Sequence, residues 1–165
     1  MKKIWIAGLL CLCLLLGACG GKNVYTSDVA ADKVADGMVT AIGQPDDYMG
    51  GDADLYEFYF GDKEAYAMVK ECKILFSRVE TDVNEVGVFR ASSEQDAEAV
   101  RAMVQTYLNE QTANLRSFAA NYSPADMAKI DNAGIEVYGV YVVYYILDAE
   151  DETAVLDAVK GLLTK

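Results

Sequence analysis

Hydrophobic and polar residues alternate between residues 65 and 77. Apolar side chains fall at even positions, namely Tyr66, Met68, Cys72, Ile74 and Phe76, and polar ones mostly lie between them. A period of two puts every second side chain on the same face of a β-strand. The pattern therefore predicts a strand here. The next apolar stretch, Glu85–Ala91, predicts a second strand after a turn at residues 82–84.

A helical period replaces this alternation after Ser93. Spacings of three and four residues separate most of the apolar positions that follow, which are Ala97, Val100, Val104, Tyr107, Leu108, Leu115, Phe118 and Tyr122. One helix of roughly 28 residues is predicted, which is long enough to cross a small sheet. Ser93 with Asp96, or Ser92 with Gln95, fits a capping box at its start. A short second helix is predicted from Pro124 to about residue 132.

Two more strands and a final helix are predicted near the C-terminus. Ile135–Tyr138 and Tyr141–Leu147 are rich in β-branched and aromatic residues, and residues 139–140 form a tight turn between them. The acidic run 148–152 opens the final helix, because negative charge is favourable at a helix N-terminus. Residues 61–165 therefore predict an α+β domain. Its four-stranded, mostly antiparallel sheet has helices packed on one face.

An N-terminal helical segment, residues 26–60, precedes this domain. Residues 26–28 can cap a helix, and the apolar positions Val29, Val34, Met38, Val39 and Ile42 follow with helical spacing. Gly43 and Pro45 are predicted to end this helix. Residues 46–54 are rich in Asp and Gly, which is typical of a loop.

The first 19 residues have the pattern of an export signal. Lys2 and Lys3 give a basic start, an apolar run of 13 residues follows, and small residues lead to Cys19. This run is shorter than the roughly 20 residues that a permanent membrane-spanning helix needs. Residues 16–19, Leu-Gly-Ala-Cys, resemble the bacterial lipobox, in which diacylglycerol is attached to the cysteine and the chain is cut just before it. The alternative is an ordinary cleaved signal with an unrelated cysteine.

The lipobox divides the N-terminal region into two parts. Residues 1–18 are predicted to be a signal peptide and residues 19–25 a lipid anchor and tether. The mature chain then lies on the extracytoplasmic face of the cell membrane and contacts the membrane through the lipid on Cys19. Two acyl chains anchor a protein stably, whereas one holds it only marginally. The small and polar residues 20–23 favour a flexible tether.

The mature chain is strongly acidic and contains no histidine. Without Lys2 and Lys3 it has 12 basic residues against 26 acidic ones. This balance repels nucleic acid and anionic lipid head groups, so no nucleic-acid partner is predicted. The absence of histidine removes the common nucleophile–histidine pairs and the usual zinc sites. Asp52 and Asp54 lack the spacing of a twelve-residue calcium loop. No catalytic residue, metal or cofactor is therefore predicted.

Cysteine usage leaves one thiol in the mature domain. Cys11 and Cys13 lie in the predicted signal peptide, and Cys19 is the predicted lipid site. Cys72 alone remains, so no intrachain disulfide can form after processing. It shares a predicted strand face with apolar residues, which favours a small core residue over a nucleophile.

Tyrosines crowd the predicted C-terminal hairpin. Tyr138, Tyr141, Tyr144 and Tyr145 lie within eight residues. Both faces of the last predicted strand are apolar, so two interpretations stay open. Either both faces are core, or one row with Tyr138, Tyr141 and Tyr145 is partly exposed and forms a binding surface. Tyrosine suits such contacts because it is partly apolar and partly hydrogen-bonding.

Four motifs between about residues 61 and 163 resemble a known family. They are residues 85–91 before a long helix, Asn-Tyr-Ser-Pro at 121–124, Lys-Ile-Asp-Asn-Ala at 129–133, and residues 137–142 before an acidic terminal helix. They are similar to domain of unknown function 4358, which is common in lipoproteins of Gram-positive bacteria. Relatives usually have Gly-Asn at the tight turn, where this chain has Gly139-Val140. The resemblance implies a lipoprotein and brings no catalytic residues, since none are established for the family.

Together these patterns predict a membrane-anchored lipoprotein with a non-catalytic role. It would bind a small ligand or an envelope protein at the cell surface. Two alternatives stay open. A surface hydrolase that uses carboxylates alone would need two acids converging in one cleft. An accessory subunit of an envelope complex would dock another protein through an exposed sheet face.

Overall fold

A computed structural model describes residues 24–43, 45–50 and 60–165. The predicted signal peptide, Cys19, and the pair Asp52 and Asp54 lie outside the described residues. The described helices and strands are α1 (Ala31–Ala41), β1 (Tyr48–Gly50), α2 (Lys63–Tyr66), β2 (Val69–Ser77), β3 (Glu85–Ala91), α3 (Ala97–Tyr122), α4 (Met127–Asp131), β4 (Gly134–Tyr138), β5 (Tyr141–Ile146) and α5 (Ala149–Leu163). Single 3-10 turns at Pro45–Asp47 and Pro124–Asp126 precede β1 and α4.

The strands form one antiparallel sheet in the order β1-β2-β3-β5-β4. This confirms the α+β class and the antiparallel sheet. The number of strands is wrong, since the part of the chain that the structure describes contributes five to the sheet and four were predicted. The additional strand is β1, which pairs with β2 by placing Tyr48 opposite Ser77. Three residues in a stretch rich in Asp and Gly are too short to show a period of two.

Helices cover both faces of the sheet, which corrects the prediction of a single helical face. Helix α3 packs on the face that carries Phe89, Val142, Tyr144 and Ile146. Helices α1 and α5 pack against each other and on the opposite face, whose buried residues include Val86, Val88, Tyr141, Val143, Tyr145 and Leu147. Because β3 and β5 are central and apolar on both sides, each face must be removed from water.

The segment before α1 pairs with the end of α5. Tyr25 and Thr164 form an antiparallel bridge, and the N–H of Thr26 donates to the carbonyl of Leu163 at 2.8 Å. The ring of Tyr25 also packs edge-on against Tyr138 beside the β4–β5 turn, with ring centroids 5.4 Å apart. The first described residues and the last ones therefore meet at one end of the domain.

The side chain predicted to open the final helix does so, whereas the capping box predicted for α3 does not form. The carboxylate of Asp148 accepts the N–H groups of Glu150 and Asp151 at 3.1 and 3.0 Å, which confirms its role at the start of α5. The hydroxyl of Ser93 accepts the N–H of Asp96 at 3.1 Å and donates to its carboxylate at 2.7 Å. This pair forms a turn before α3 but is not the predicted capping box, because the N-cap of α3 is Asp96 and its side chain makes no cap hydrogen bond.

Two tyrosines of β5 lie across glycines of the neighbouring strands. Tyr144 is opposite Gly87 of β3, and Tyr145 is opposite Gly134 of β4. A Cβ atom at either glycine would overlap the tyrosine ring. Glycine is otherwise unfavourable inside a strand, and close approach of another group is a common reason for it. Both rings are therefore held flat against the sheet.

Candidate functional site

Glu85, the first residue of β3, is a buried carboxyl group that is only 2% exposed. Three side chains donate to it. Tyr107 of α3 donates its hydroxyl to Oε1 at 2.7 Å, and Gln111 donates its amide to Oε2 at 3.1 Å. From β5, the hydroxyl of Tyr144 donates to Oε1 at 2.5 Å. We call these four residues the Glu85 cluster. It joins the middle of the sheet to α3.

Burial dominates the electrostatics of this cluster. Removal from water raises the pKa of the Glu85 carboxyl above its ordinary value, although all three hydrogen bonds oppose the shift. Burial also raises the pKa of Tyr144 well above its ordinary value, and the charge of Glu85 adds to that effect. Hydrogen bonds to a charged group contribute about 1.5–3 kcal/mol each. They offset the large cost of burying a carboxylate.

A pocket of about 470 Å³ borders the Glu85 cluster. One side consists of Phe60, Gly61 and Asp62, and the other of α3 residues Ala102, Met103, Thr106, Tyr107 and Glu110. Tyr107 belongs to both features, since it lines the pocket while its hydroxyl binds Glu85. The ring of Phe60 lies against it, with centroids 4.6 Å apart. Glu85 is not among the lining residues, so Tyr107 stands between this acid and the pocket.

A second cleft, of about 510 Å³, lies between the start of α1 and β2. Glu71, Cys72 and Tyr66, which line it, are engaged with protein groups. Glu71 accepts the N–H of Ala31 at 3.0 Å and forms an ion pair with Arg90 at 3.0 Å. The thiol of Cys72 lies 3.6 Å from the hydroxyl of Tyr66, and burial raises the pKa of that thiol. Cys72 is half-buried and packs against the core. A thiol whose ionised form is disfavoured is a poor nucleophile.

The tyrosines of the C-terminal hairpin do not form the exposed row that was one interpretation of the sequence. Tyr138, Tyr141 and Tyr145 are 4%, 0% and 5% exposed. Tyr141 donates its hydroxyl to the carbonyl of Val29 at 2.6 Å, and Tyr145 donates to Glu152 at 2.6 Å. The binding-surface interpretation is therefore wrong. Helices α1 and α5 cover this face, so the rings are core and their hydroxyls bind groups next to those helices.

Acidic side chains near the β2–β3 turn are neutralised by a lysine. The ammonium group of Lys129 lies 2.6 Å from Asp82 and 3.1 Å from Asp126. No group of three or more histidine, cysteine, aspartate or glutamate side chains within residues 24–43, 45–50 and 60–165 could hold a metal ion. Among the helices of those same ranges, none combines the length and the apolar character needed to cross a membrane.

Comparison with protein-family models identifies the family of this chain. The model described as "Domain of unknown function (DUF4358)" matches residues 52–147, which is more than half of the chain. The chain belongs to the DUF4358 family. The Glu85 cluster and the pocket beside Tyr107 lie entirely inside the matched DUF4358 segment, whereas α1, β1 and α5 lie outside it. No curated protein and no solved structure matches the chain.

Sequence reasoning missed both features of this DUF4358 site. Tyr107 was assigned to the apolar stripe of α3, which is correct for its ring but gives no hint of its bond to Glu85. Glu85 itself stands at the start of a predicted strand, where an acid is ordinarily exposed. The sequence does show that Glu85 directly precedes the apolar run 86–89, and this position was the available signal that the acid is buried with that run.

The raised pKa of Glu85 predicts a specific pH dependence of stability. The folded state keeps this proton at pH values where the unfolded chain has released it. The stability that Glu85 contributes is therefore complete below its unfolded pKa of about 4.3 and is lost as the pH rises through the higher folded pKa. Glu85→Gln cannot ionise. As the pH rises from about 4 to about 7, the wild type loses the contribution of Glu85. The free energy of unfolding of Glu85→Gln should therefore increase relative to that of the wild type over this range.

Urea denaturation at several pH values measures this difference. Glu98→Gln, at an exposed position of α3, is the matched control and should keep a constant difference from the wild type. If the difference between Glu85→Gln and the wild type is also constant over this pH range, the pKa of Glu85 is not raised in the folded state.

Proposed function

We propose that this protein is a lipid-anchored binding module on the extracytoplasmic face of the cell membrane. The basic start, the short apolar run and the lipobox-like residues 16–19 support diacylglycerol attachment to Cys19. Five residues, 19–23, precede the first described residue, and they can span at most about 18 Å. The pairing of Tyr25 with Thr164 then keeps one end of the domain near the membrane. The β4–β5 turn belongs to that end.

The single observation that supports a binding role is the pocket beside Tyr107. Its volume of about 470 Å³ is within the usual range for small-molecule sites. The buried acid with a raised pKa, Glu85, is separated from the pocket by Tyr107, which makes it a structural group rather than a proton donor to a ligand. Asp62 already accepts the N–H of Ala65 at 3.0 Å as the N-cap of α2. These arrangements favour binding without catalysis.

A carboxylate-dependent surface hydrolase is the second candidate. One observation supports this candidate, because Asp62 and Glu110 both line the same pocket. Paired carboxylates flanking one bond are the minimum that glycoside hydrolysis needs. A panel of aryl glycosides with a chromogenic leaving group tests this candidate. Release of that group by the wild type but not by Glu110→Gln would favour hydrolysis over the binding role. The accessory-subunit alternative has less support, because helices cover both faces of the described sheet.

Fractionation of cells that express Cys19→Ala tests the anchoring. The wild type should sediment with membranes and be released only by detergent, whereas Cys19→Ala should lose nearly all membrane retention. The reason is that two acyl chains supply the stable attachment and no polybasic segment replaces them. Cys72→Ala is the matched control and should remain with the membranes. A processed Cys19→Ala protein that still sediments like the wild type would contradict the anchor.

A further inference from the structure

We infer that the fold has a binding site for one internal water molecule between Tyr48 and Asn84, which joins β1 to the start of β3. Two buried atoms carry this inference. Tyr48 and Asn84 are each 6% exposed, and their side-chain oxygens Oη and Oδ1 are closed to bulk solvent. No group of the described residues completes a hydrogen bond with either atom. An unpaired buried polar atom destabilises a fold, so nearly all such atoms are bound by protein or by ordered water.

The sheet register puts these two side chains in one row across the strands. Tyr48 lies opposite Ser77 of β2, and the N–H of Ser77 donates to the carbonyl of Asn84 at 3.0 Å. Because side chains alternate along each strand, all three project to the face that carries Leu75 and Val86. Burial raises the pKa of the Tyr48 phenol to about 12, and the nearby amide of Asn84 opposes that shift. The two side chains therefore approach each other across the small Ser77.

The two atoms require a ligand that both accepts and donates hydrogen bonds. The phenol of Tyr48 has a proton to donate, whereas the amide oxygen of Asn84 only accepts. Water is the smallest molecule that does both, and a buried water usually makes about three hydrogen bonds. The carboxylates of Asp82 and Asp151 are near enough for their charges to raise the pKa of the same phenol. Either carboxylate provides an acceptor for the second hydrogen of the water.

A larger ligand and a metal ion both fit these observations less well than water. Neither Tyr48 nor Asn84 lines either of the two clefts described above. The ammonium group of Lys129 already lies 2.6 Å from Asp82 and neutralises it. Within the described ranges, no three acidic side chains converge to hold a metal ion. A small neutral ligand is therefore favoured.

A crystal structure of the protein as purified from cells tests the site directly. It should show one ordered water at about 2.5–3.0 Å from both Tyr48 Oη and Asn84 Oδ1. Two results would overturn the inference. One is a direct hydrogen bond between the two side chains, and the other is a pair of oxygens with no water within that distance.

Tyr48→Phe distinguishes a bound hydroxyl from an unpaired one by the sign of its effect on stability. If water binds the hydroxyl, its removal loses a hydrogen bond and should lower the urea midpoint of unfolding by about 0.5 M. If the hydroxyl is unpaired, its removal relieves a destabilising group, and a raised midpoint would contradict the site. Tyr122→Phe, at a position that is 72% exposed, is the matched control and should leave the midpoint unchanged.

Calcium chloride separates water from a cation at the same site. At millimolar concentration it should change the melting temperatures of the wild type and Tyr48→Phe equally, because the site takes no ion. A rise in the wild type that is absent in Tyr48→Phe would assign the site to a cation and overturn the inference. None of these results depends on lipid attachment at Cys19 or on the pocket beside Tyr107, so this inference and the proposed function fail independently.

Discussion

Replacing Tyr141 with alanine should lower the free energy of unfolding by about 3–5 kcal/mol, as for other buried aromatic side chains. Tyr141 is completely buried between β5 and the helices on its face. Its hydroxyl donates to the carbonyl of Val29 at 2.6 Å and accepts the N–H of Val29 at 3.0 Å. The ring and these two bonds together fix the chain segment that leads into α1. Urea denaturation of the wild type and the variant measures the loss.

Two companion variants separate the contributions. Tyr141→Phe keeps the ring and loses only the two hydrogen bonds, so its cost should be about 1–3 kcal/mol. Tyr122→Ala removes a tyrosine that is 72% exposed at the end of α3 and should cost less than about 1 kcal/mol. If Tyr141→Ala costs as little as Tyr122→Ala, this face of the sheet is not core. The exposed-row interpretation of the hairpin would then return.

Val159→Asp should prevent the domain from folding. Val159 lies on α5, is completely buried, and belongs to the core between α5, α1 and the sheet. An unpaired carboxylate at such a position costs several kcal/mol, and the lost apolar contacts add to it. The total approaches the free energy of unfolding of a whole domain, which is about 5–15 kcal/mol. Circular dichroism and resistance to proteolysis measure the outcome.

Thr153→Asp is the control for Val159→Asp, because it adds the same charge at an exposed position of the same helix. It should leave stability within about 0.5 kcal/mol of the wild type. Helix α5 lies outside the matched segment 52–147. Equal stability of the two variants would mean that α5 is dispensable and that the matched segment holds its sheet without it.

The elements that could be predicted are those whose pattern is local. Helix α3 and strands β3 and β5 follow directly from spacing, because a helical stripe or a two-sided apolar strand is visible in consecutive residues. The face that each helix covers is not visible in this way. The apolar stripes of α1 and α5 indicate that one side of each helix is buried, but not which side of the sheet it meets. For this reason the sequence left open whether helices cover the second face, although β5 is apolar on both faces.

The site depends on contacts between distant positions. Tyr107, Gln111 and Tyr144 reach Glu85 from 22, 26 and 59 residues away along the chain. No periodic pattern connects these residues, since each fits the apolar or polar face of its own element. The pocket adds Phe60, which precedes α2 and had no assigned element. The prediction for Cys19 is of another kind, because it rests on four consecutive residues. Cys19 lies outside the described residues, so lipid attachment there stays a prediction.

Intact-mass measurement of the protein extracted from membranes tests lipid anchoring at Cys19, on which the proposed localisation and function depend. The expected species begins at Cys19 and carries a diacylglyceryl group. Fragmentation should place the added mass on the cysteine. A chain that still begins at Met1, or one that begins at Cys19 without added lipid, would contradict the anchor.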